Sequence, residues 1–235
     1  MENRTGKYFK YAIGEIILVV IGILIALQIN NWNEKQKSYN LETKLLSEMK
    51  TSIERDIGRT NGLLGGRAKV KRKSIATLLD NLLGEEEVAD TVLLRDFFSS
   101  TLTLSFSYDK GPYESLKSVG LDKITNDSLR GKIVRFYEVT LPLAVIFVDY
   151  NKDIHNNKRA VLKERLFDKY YEKEDGKWTI KNSTNFEVIK RSKDFKELIY
   201  MEQHVADNYI GRLERVKSQL QNMLSDLNTE LVLRQ

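Results

Sequence analysis

Apolar residues dominate one stretch near the start of the chain, from Ile13 to Ile29, where only Gly14, Glu15, Gly22 and Gln28 interrupt them. A helix needs about 20 residues, each advancing about 1.5 Å, to cross a hydrocarbon core of about 30 Å. The stretch therefore predicts a transmembrane helix over residues 11–31. That helix divides the chain into a cytoplasmic tail at residues 1–10, the span, and an extramembrane domain at residues 32–235.

The residues that flank the apolar stretch fit an uncleaved membrane anchor. Tyr8, Phe9 and Tyr11 lie at one end and Trp32 at the other, where aromatic rings favour the headgroup layer. The stretch is long for a signal peptide, and no small-x-small cleavage pattern follows it. Basic residues outnumber acidic ones before the stretch, so the positive-inside rule predicts a cytoplasmic N-terminus and an extramembrane domain on the outer side.

Beyond the span, apolar positions recur mostly at helical spacing. Leu41, Leu45, Met49, Ile53 and Ile57 repeat every four residues, which predicts that the span continues as a long amphipathic helix. Four glycines between positions 58 and 66 are expected to punctuate it. Further helices are predicted at residues 67–83, 91–98 and 113–119, from residue 128 towards 167, and over a long final segment with an apolar stripe from 195 to 231. Gly84 and Gly120 are expected to end the first and third of these, and Asn126-Asp127 is expected to cap the fourth.

Three shorter segments leave alternatives open. Ser99–Tyr108 alternates apolar and polar residues, which predicts either a strand or an extended connector. Leu141–Val148 is too short to span a bilayer, so we expect buried core, with a docking surface for a membrane partner as the alternative. Asp175-Gly176 predicts a small hairpin or an exposed turn. The fold class predicted is mainly α, with one transmembrane helix continuing into an elongated extramembrane helical bundle that includes at most a small hairpin.

Charge and cysteine content exclude several classes of site. The chain carries 38 basic and 33 acidic side chains, interspersed along its length, and no cysteine, so disulfides and thiolate metal sites are excluded. The densest basic segment has no aromatic interleaving or groove-reading motif. It therefore predicts a solvated helix face and no nucleic-acid site, with a weak contact to anionic lipid or another charged envelope polymer as the alternative. The segment comprises Arg67, Lys69, Lys71, Arg72 and Lys73.

No motif for catalysis or cofactor binding stands out in the sequence. A glycine-rich phosphate loop, a nucleophile elbow and a two-histidine zinc motif are all missing. His155 and His204 are the only histidines, and both are interpreted as surface residues because a metal site needs three or four converging ligands. The consecutive Glu85, Glu86 and Glu87 indicate a solvated loop. We therefore expect a protein without enzymatic activity, cofactor or metal.

One side of the predicted span differs from the rest. At about 100° per residue, Glu15, Gly22 and Ala26 fall within about 40° of one another, with Leu18 and Ile29 alongside. Small residues one turn apart let helix backbones approach closely, and a carboxylate inside an apolar segment usually faces protein. These five residues are called the contact face, and we expect them to meet another helix from a second copy or a different membrane subunit.

Two segments carry a resemblance to a known family. Residues 7–34, which contain the span, resemble the opening of an uncharacterised family of Gram-negative envelope proteins, the domain of unknown function numbered 6090. Residues 113–120 and the helix start at 126–130 are similar to the mid-chain pattern of that family. The resemblance implies a single-pass, largely helical envelope protein. Together with the charge bias around the span, this predicts an inner-membrane location with the domain in the periplasm. The resemblance brings no activity and no catalytic residue.

Three classes of function fit these observations. The first is an anchored scaffold that binds the bilayer and either itself or another membrane subunit, which requires no chemistry. The second is a periplasmic sensor of an unknown small molecule; with only about ten residues before the span, it would act through another membrane subunit. The third is an ion-coupled auxiliary subunit that uses Glu15, although this residue lies shallow in the span. The scaffold is the leading hypothesis.

Overall fold

A computed structural model describes residues 4–84, 88–149, 152–166, 168–183 and 186–234. Its first helix, α1, extends without a break from Arg4 to Leu63, which corresponds to about 90 Å at 1.5 Å per residue. Among the described residues, one helix is long and apolar enough to cross a membrane, and it is the N-terminal helix. The predicted span and the amphipathic segment after it are therefore a single helix.

Contrary to the prediction, the glycines between positions 58 and 66 do not interrupt the helix. Helix α1 passes into one π-helical turn, Leu64–Ala68, and then directly into α2, Lys69–Leu83. Glycine weakens a helix by only about 1 kcal/mol per residue, and packing on both sides of the turn, through Thr60 and Ala68, outweighs that cost. Helix α2 ends as predicted at Gly84, which has a φ of +80°.

The middle of the chain is a series of short helices. Asn126 caps one of them as predicted, because its side chain accepts a hydrogen bond from the Leu129 N–H at 3.1 Å. Gly120 follows another with a φ of +118°. The elements are α3 Asp90–Ser100, α4 Gly111–Val119, a 3₁₀ turn Leu121–Lys123, α5 Asp127–Arg135, a π turn Phe136–Thr140 and α6 Leu141–Asp149.

Two of the three ambiguous segments are residues 99–108 and 141–148, and both have clear conformations. Residues 102–110 form an extended connector without a strand partner, and Leu104 and Phe106 are buried. The alternation in this segment therefore reflects one buried side and one solvated side. The apolar run of α6 is only half core, since Ala144 and Val148 are buried while Phe147 is 53% exposed.

The last third of the chain contains the only strands among the described residues. They form an antiparallel hairpin in which Glu174 pairs with Lys177, and its turn residues Asp175 and Gly176 both have positive φ. The hairpin prediction is confirmed. The elements here are α7 Lys152–Leu166, β1 Asp168–Glu174, β2 Lys177–Ser183, α8 Phe186–Arg191 and α9 Lys193–Val232.

Helix α9 pairs with α1 in antiparallel orientation and connects two hydrophobic cores. Arg234, just past the end of α9, contacts Glu42 near the apolar part of α1, whereas Glu202 at the other end of α9 contacts Lys71 on α2. One core, between α1, α4–α6 and α9, includes Met49, Ile53, Tyr113, Leu116, Ile133, Tyr137, Leu213 and Leu220. The other, between α2, α3, α7, α8 and α9, includes Ile75, Leu78, Leu93, Phe97, Leu162 and Leu198. The predicted mainly-α bundle is confirmed.

Candidate functional site

The contact face lies on the part of α1 that no described segment of the chain covers. Every residue from 13 to 40 is exposed, and a Cβ built on Gly22 would meet no atom within 4 Å. Because the helix is regular here, the five residues stay on one side of it, within about 80°. They are Glu15, Leu18, Gly22, Ala26 and Ile29. Contact between this face and a second helix stays a prediction.

A buried group of charges lies at the opposite end of the bundle, between α2, α7 and α9. The Glu202 carboxylate accepts hydrogen bonds from the Lys71 ammonium and from two nitrogens of the Arg159 guanidinium, one of them at 2.8 Å. Lys71 also donates to the Ser100 carbonyl, and Arg159 donates to the Asn156 side chain at 2.9 Å. Lys71 and Glu202 are fully buried. We call Lys71, Arg159 and Glu202 the charge cluster.

The charge cluster corrects one expectation from the sequence. The basic segment predicts Lys71 on a solvated face, but its side chain is 0% exposed. It points into the bundle because α2 packs on α3 and α9, and it needs Glu202 as a partner there. A signal for Glu202 does exist in the sequence: it replaces an apolar residue on the buried stripe of α9, between Leu198 and Ala206.

Burial changes the proton affinities of the groups around the charge cluster. Desolvation lowers the pKa of Lys71 to about 8, against the opposing attraction of Glu202. The pKa of His155 is also lowered, mainly by burial and to a lesser extent by the positive charge of Arg159. The folded protein therefore releases the Lys71 proton far more readily than an exposed lysine would.

A second buried carboxylate holds the extended connector against α1. Asp56, which is 1% exposed, accepts hydrogen bonds from the Asp109 N–H at 3.2 and 3.3 Å and pairs with Arg59. Burial raises the pKa of Asp56 despite these bonds. The Asp109 carboxylate accepts from Ser52 at 2.9 Å and from the Gly111 N–H at 2.9 Å, and the Gly111 bond is the largest cause of its lowered pKa.

The end of α9 is fastened to the part of α1 where the helix enters the bundle. The Arg234 guanidinium contacts Glu42 at 2.6 Å and Glu230 at 2.8 Å, and it lies 5.2 Å from the centre of the Tyr39 ring. The Tyr39 hydroxyl in turn donates to the Arg234 carbonyl at 2.7 Å. These contacts fix α9 in register with the segment of α1 that leaves the predicted span.

The two histidines lie near each other although they are far apart in sequence. His155 on α7 is half-buried, whereas His204 on α9 is exposed and its Nε2 lies 2.9 Å from the Asn208 side-chain nitrogen. Among the described residues, no three His, Asp or Glu side chains converge as a metal site would require. Glu85, Glu86 and Glu87 lie outside the described residues.

Comparison with known proteins gives one match. Searches of curated proteins and of solved structures find none. The family model described as a family of unknown function, DUF6090, matches residues 15–199, well over half of the 235 residues. That range begins at Glu15 on the contact face and ends within α9. The chain therefore belongs to the DUF6090 family, as the resemblance over residues 7–34 indicates.

Proposed function

We propose that this protein is a membrane-anchored helical scaffold of the cell envelope, without catalytic activity, that associates through the contact face of α1. In this proposal the apolar segment lies in the inner membrane, the N-terminus is cytoplasmic and the bundle is periplasmic. One observation carries it: residues 13–40 of α1 have no cover from the described chain, while the same helix enters the core at Leu45 and Leu46.

The exposed apolar surface supports membrane insertion. Large apolar side chains between Ile13 and Ile29 have exposed fractions from 43% at Ile13 to 71% at Leu18. Full burial of such a side chain is worth about 1.5–3 kcal/mol, so removing the exposed part of each is worth about 1 kcal/mol and together they favour a lipid environment by on the order of 10 kcal/mol. A patch of this size is far larger than a monomeric soluble protein exposes.

The chemistry of the contact face supports association within the membrane. Lipid tails are as apolar as leucine, so helices associate there through close packing, which Gly22 and Ala26 permit. Glu15 adds a reason for a protein neighbour, because an acidic side chain in a span costs up to about 3 kcal/mol on insertion scales.

The continuity of α1 supports a scaffold role. Because α1 is unbroken from Arg4 to Leu63 and Arg234 fastens α9 to it, a contact made in the membrane also sets the direction and spacing of the bundles above it. Such an assembly would position the bundles through the rigid helix itself.

Substitution at matched glycines tests the proposal. Gly22 and Gly14 both lie in the apolar segment, and a Cβ added at either would meet no atom within 4 Å. The two positions are about 80° apart around the helix. The full chain is extracted in a gentle detergent and its mass is measured by light scattering. We expect a species larger than the 27.3 kDa chain.

Gly22→Leu is expected to reduce this species to the single chain, whereas Gly14→Leu leaves it intact. A wild-type protein that is extracted as a lone monomer, or equal effects of the two substitutions, would overturn the proposed association.

A further inference from the structure

A cavity of about 270 Å³ opens next to the charge cluster, between α2, α7, α9 and the connector before α4. Five basic side chains line it: Lys71, His155, Arg159, His204 and Arg212. None of its lining residues in the described part of the chain is acidic. Basic residues from three helices that are far apart in sequence thus surround one small space.

The positive charge is only partly neutralised. Glu202 lies behind Lys71 and Arg159 and satisfies both through its two oxygens. Arg212 forms no ion pair within the residues that the structure describes. A cation that faces a confined cavity without a carboxylate partner favours an anionic occupant, because the reduced solvent there strengthens the attraction.

Other lining groups indicate more than a bare ion. Leu102, Leu104, Val148 and Val205 line the remaining wall. A ligand with one anionic group and a short apolar part would match both portions of the wall, and the volume holds about a dozen non-hydrogen atoms.

The position of the cavity separates it from the membrane. Arg234 lies just past the end of α9 that is nearer the apolar segment, and Arg212 lies 22 residues earlier on the chain, about 33 Å away at 1.5 Å per residue. A lipid headgroup at the membrane surface cannot reach this depth in the bundle. The occupant must therefore come from solution.

We propose that this cavity binds a small soluble phosphate monoester, with Arg212 and the histidines contacting the phosphate and the apolar wall contacting the organic group. Donors converge on the cavity from α7 and α9, which suits a tetrahedral dianion with several accepting oxygens better than a planar carboxylate. Such binding goes beyond the proposed scaffold and is independent of the contact face.

Calorimetric titration of the full chain in detergent with phenyl phosphate tests this site. Arg212→Gln is expected to weaken binding by about 10-fold or more, the effect of losing one charge-assisted hydrogen bond. Arg215→Gln removes the same charge three residues later from an exposed side chain that does not line the cavity, and it is expected to change binding less than about twofold.

Four results would overturn the proposal. They are no binding of phenyl phosphate to the wild type up to about 10 mM, equal weakening by the two substitutions, equally tight binding of neutral phenol, and loss of phenyl phosphate binding when a short-chain phosphatidic acid is added to the micelles. The last result would identify a lipid headgroup as the source of the phosphate. Failure of membrane association would leave this titration unchanged, so the two proposals fail separately.

Discussion

Removing the carboxylate of Glu202 is the most informative perturbation of the bundle. In Glu202→Gln the ammonium of Lys71 and the guanidinium of Arg159 remain buried, and the group that neutralised both is gone. Breaking a buried ion pair from one side costs about 3–5 kcal/mol. A domain of this size has about 5–15 kcal/mol of stability, so the substitution removes a large share of it.

The proton affinity of Lys71 makes this cost depend on pH. With Glu202 present, the pKa of Lys71 is already lowered to about 8, so the lysine can become neutral at modest cost when the carboxylate is lost. At pH 9 the folded wild type has mostly released this proton. The loss of stability in Glu202→Gln is therefore expected to be smaller at pH 9 than at pH 7.

Urea unfolding of the full chain in mild detergent, followed by far-ultraviolet circular dichroism, measures this difference. The control is Glu197→Gln, an exposed residue on the same helix whose pair with Lys193 spans 3.8 Å, with an expected change within about 0.5 kcal/mol. A loss below about 1 kcal/mol at pH 7, or a loss equal to that of the control, would refute the reasoning.

A combined variant keeps the test informative if Glu202→Gln does not fold. Replacing Lys71 and Arg159 by Met together with Glu202→Leu removes all three charges while keeping similar volumes. Such replacements are often neutral or stabilising, so this variant is expected to fold. Its failure to fold would show that packing, and not charge compensation, dominates at this place.

Two further predictions concern stability. Between pH 8 and pH 10 the unfolding free energy of the wild type should rise relative to that of Lys71→Met, because the unfolded lysine, with a pKa of 10.5, keeps a proton that the folded one has lost; parallel curves would contradict this. In thermal unfolding, Gly120→Ala should cost about 1–3 kcal/mol, because φ is +118° and the new Cβ would lie 2.4 Å from Asp122 Oδ1. The control Gly131→Ala, with open space inside a helix, should be neutral or stabilising by up to about 1 kcal/mol.

Sequence patterns predicted those parts of the fold that depend on nearby residues. The stripe of α9, the Asn126 cap and the ends of helices at Gly84 and Gly120 all follow from spacing or from local backbone chemistry. The unbroken passage through the glycines near residue 65 did not follow, because packing of α2 against distant helices decides it.

The charge cluster could be predicted only in part. Lys71 and Glu202 are 131 residues apart, and a lysine within a basic segment looks solvated until the partner helix is known. The acidic residues on otherwise apolar stripes, Glu202 and Glu230 on α9 and Asp56 on α1, did carry a signal. A buried charge at such a position needs a partner from another element. Acidic residues on apolar stripes are therefore the best indication in this sequence of contacts between distant helices.

Photo-cross-linking in native membranes tests most directly whether the contact face of α1 meets another helix. The chain has no cysteine of its own, so single cysteines at Gly22 and at Leu24, about 200° apart around the helix, can each carry a benzophenone maleimide. After illumination, we expect a strong protein adduct from Gly22→Cys and mainly lipid adducts from Leu24→Cys. The adduct mass distinguishes a second copy from another subunit. Equal protein adducts at both positions, or none at Gly22, would contradict the proposed contact.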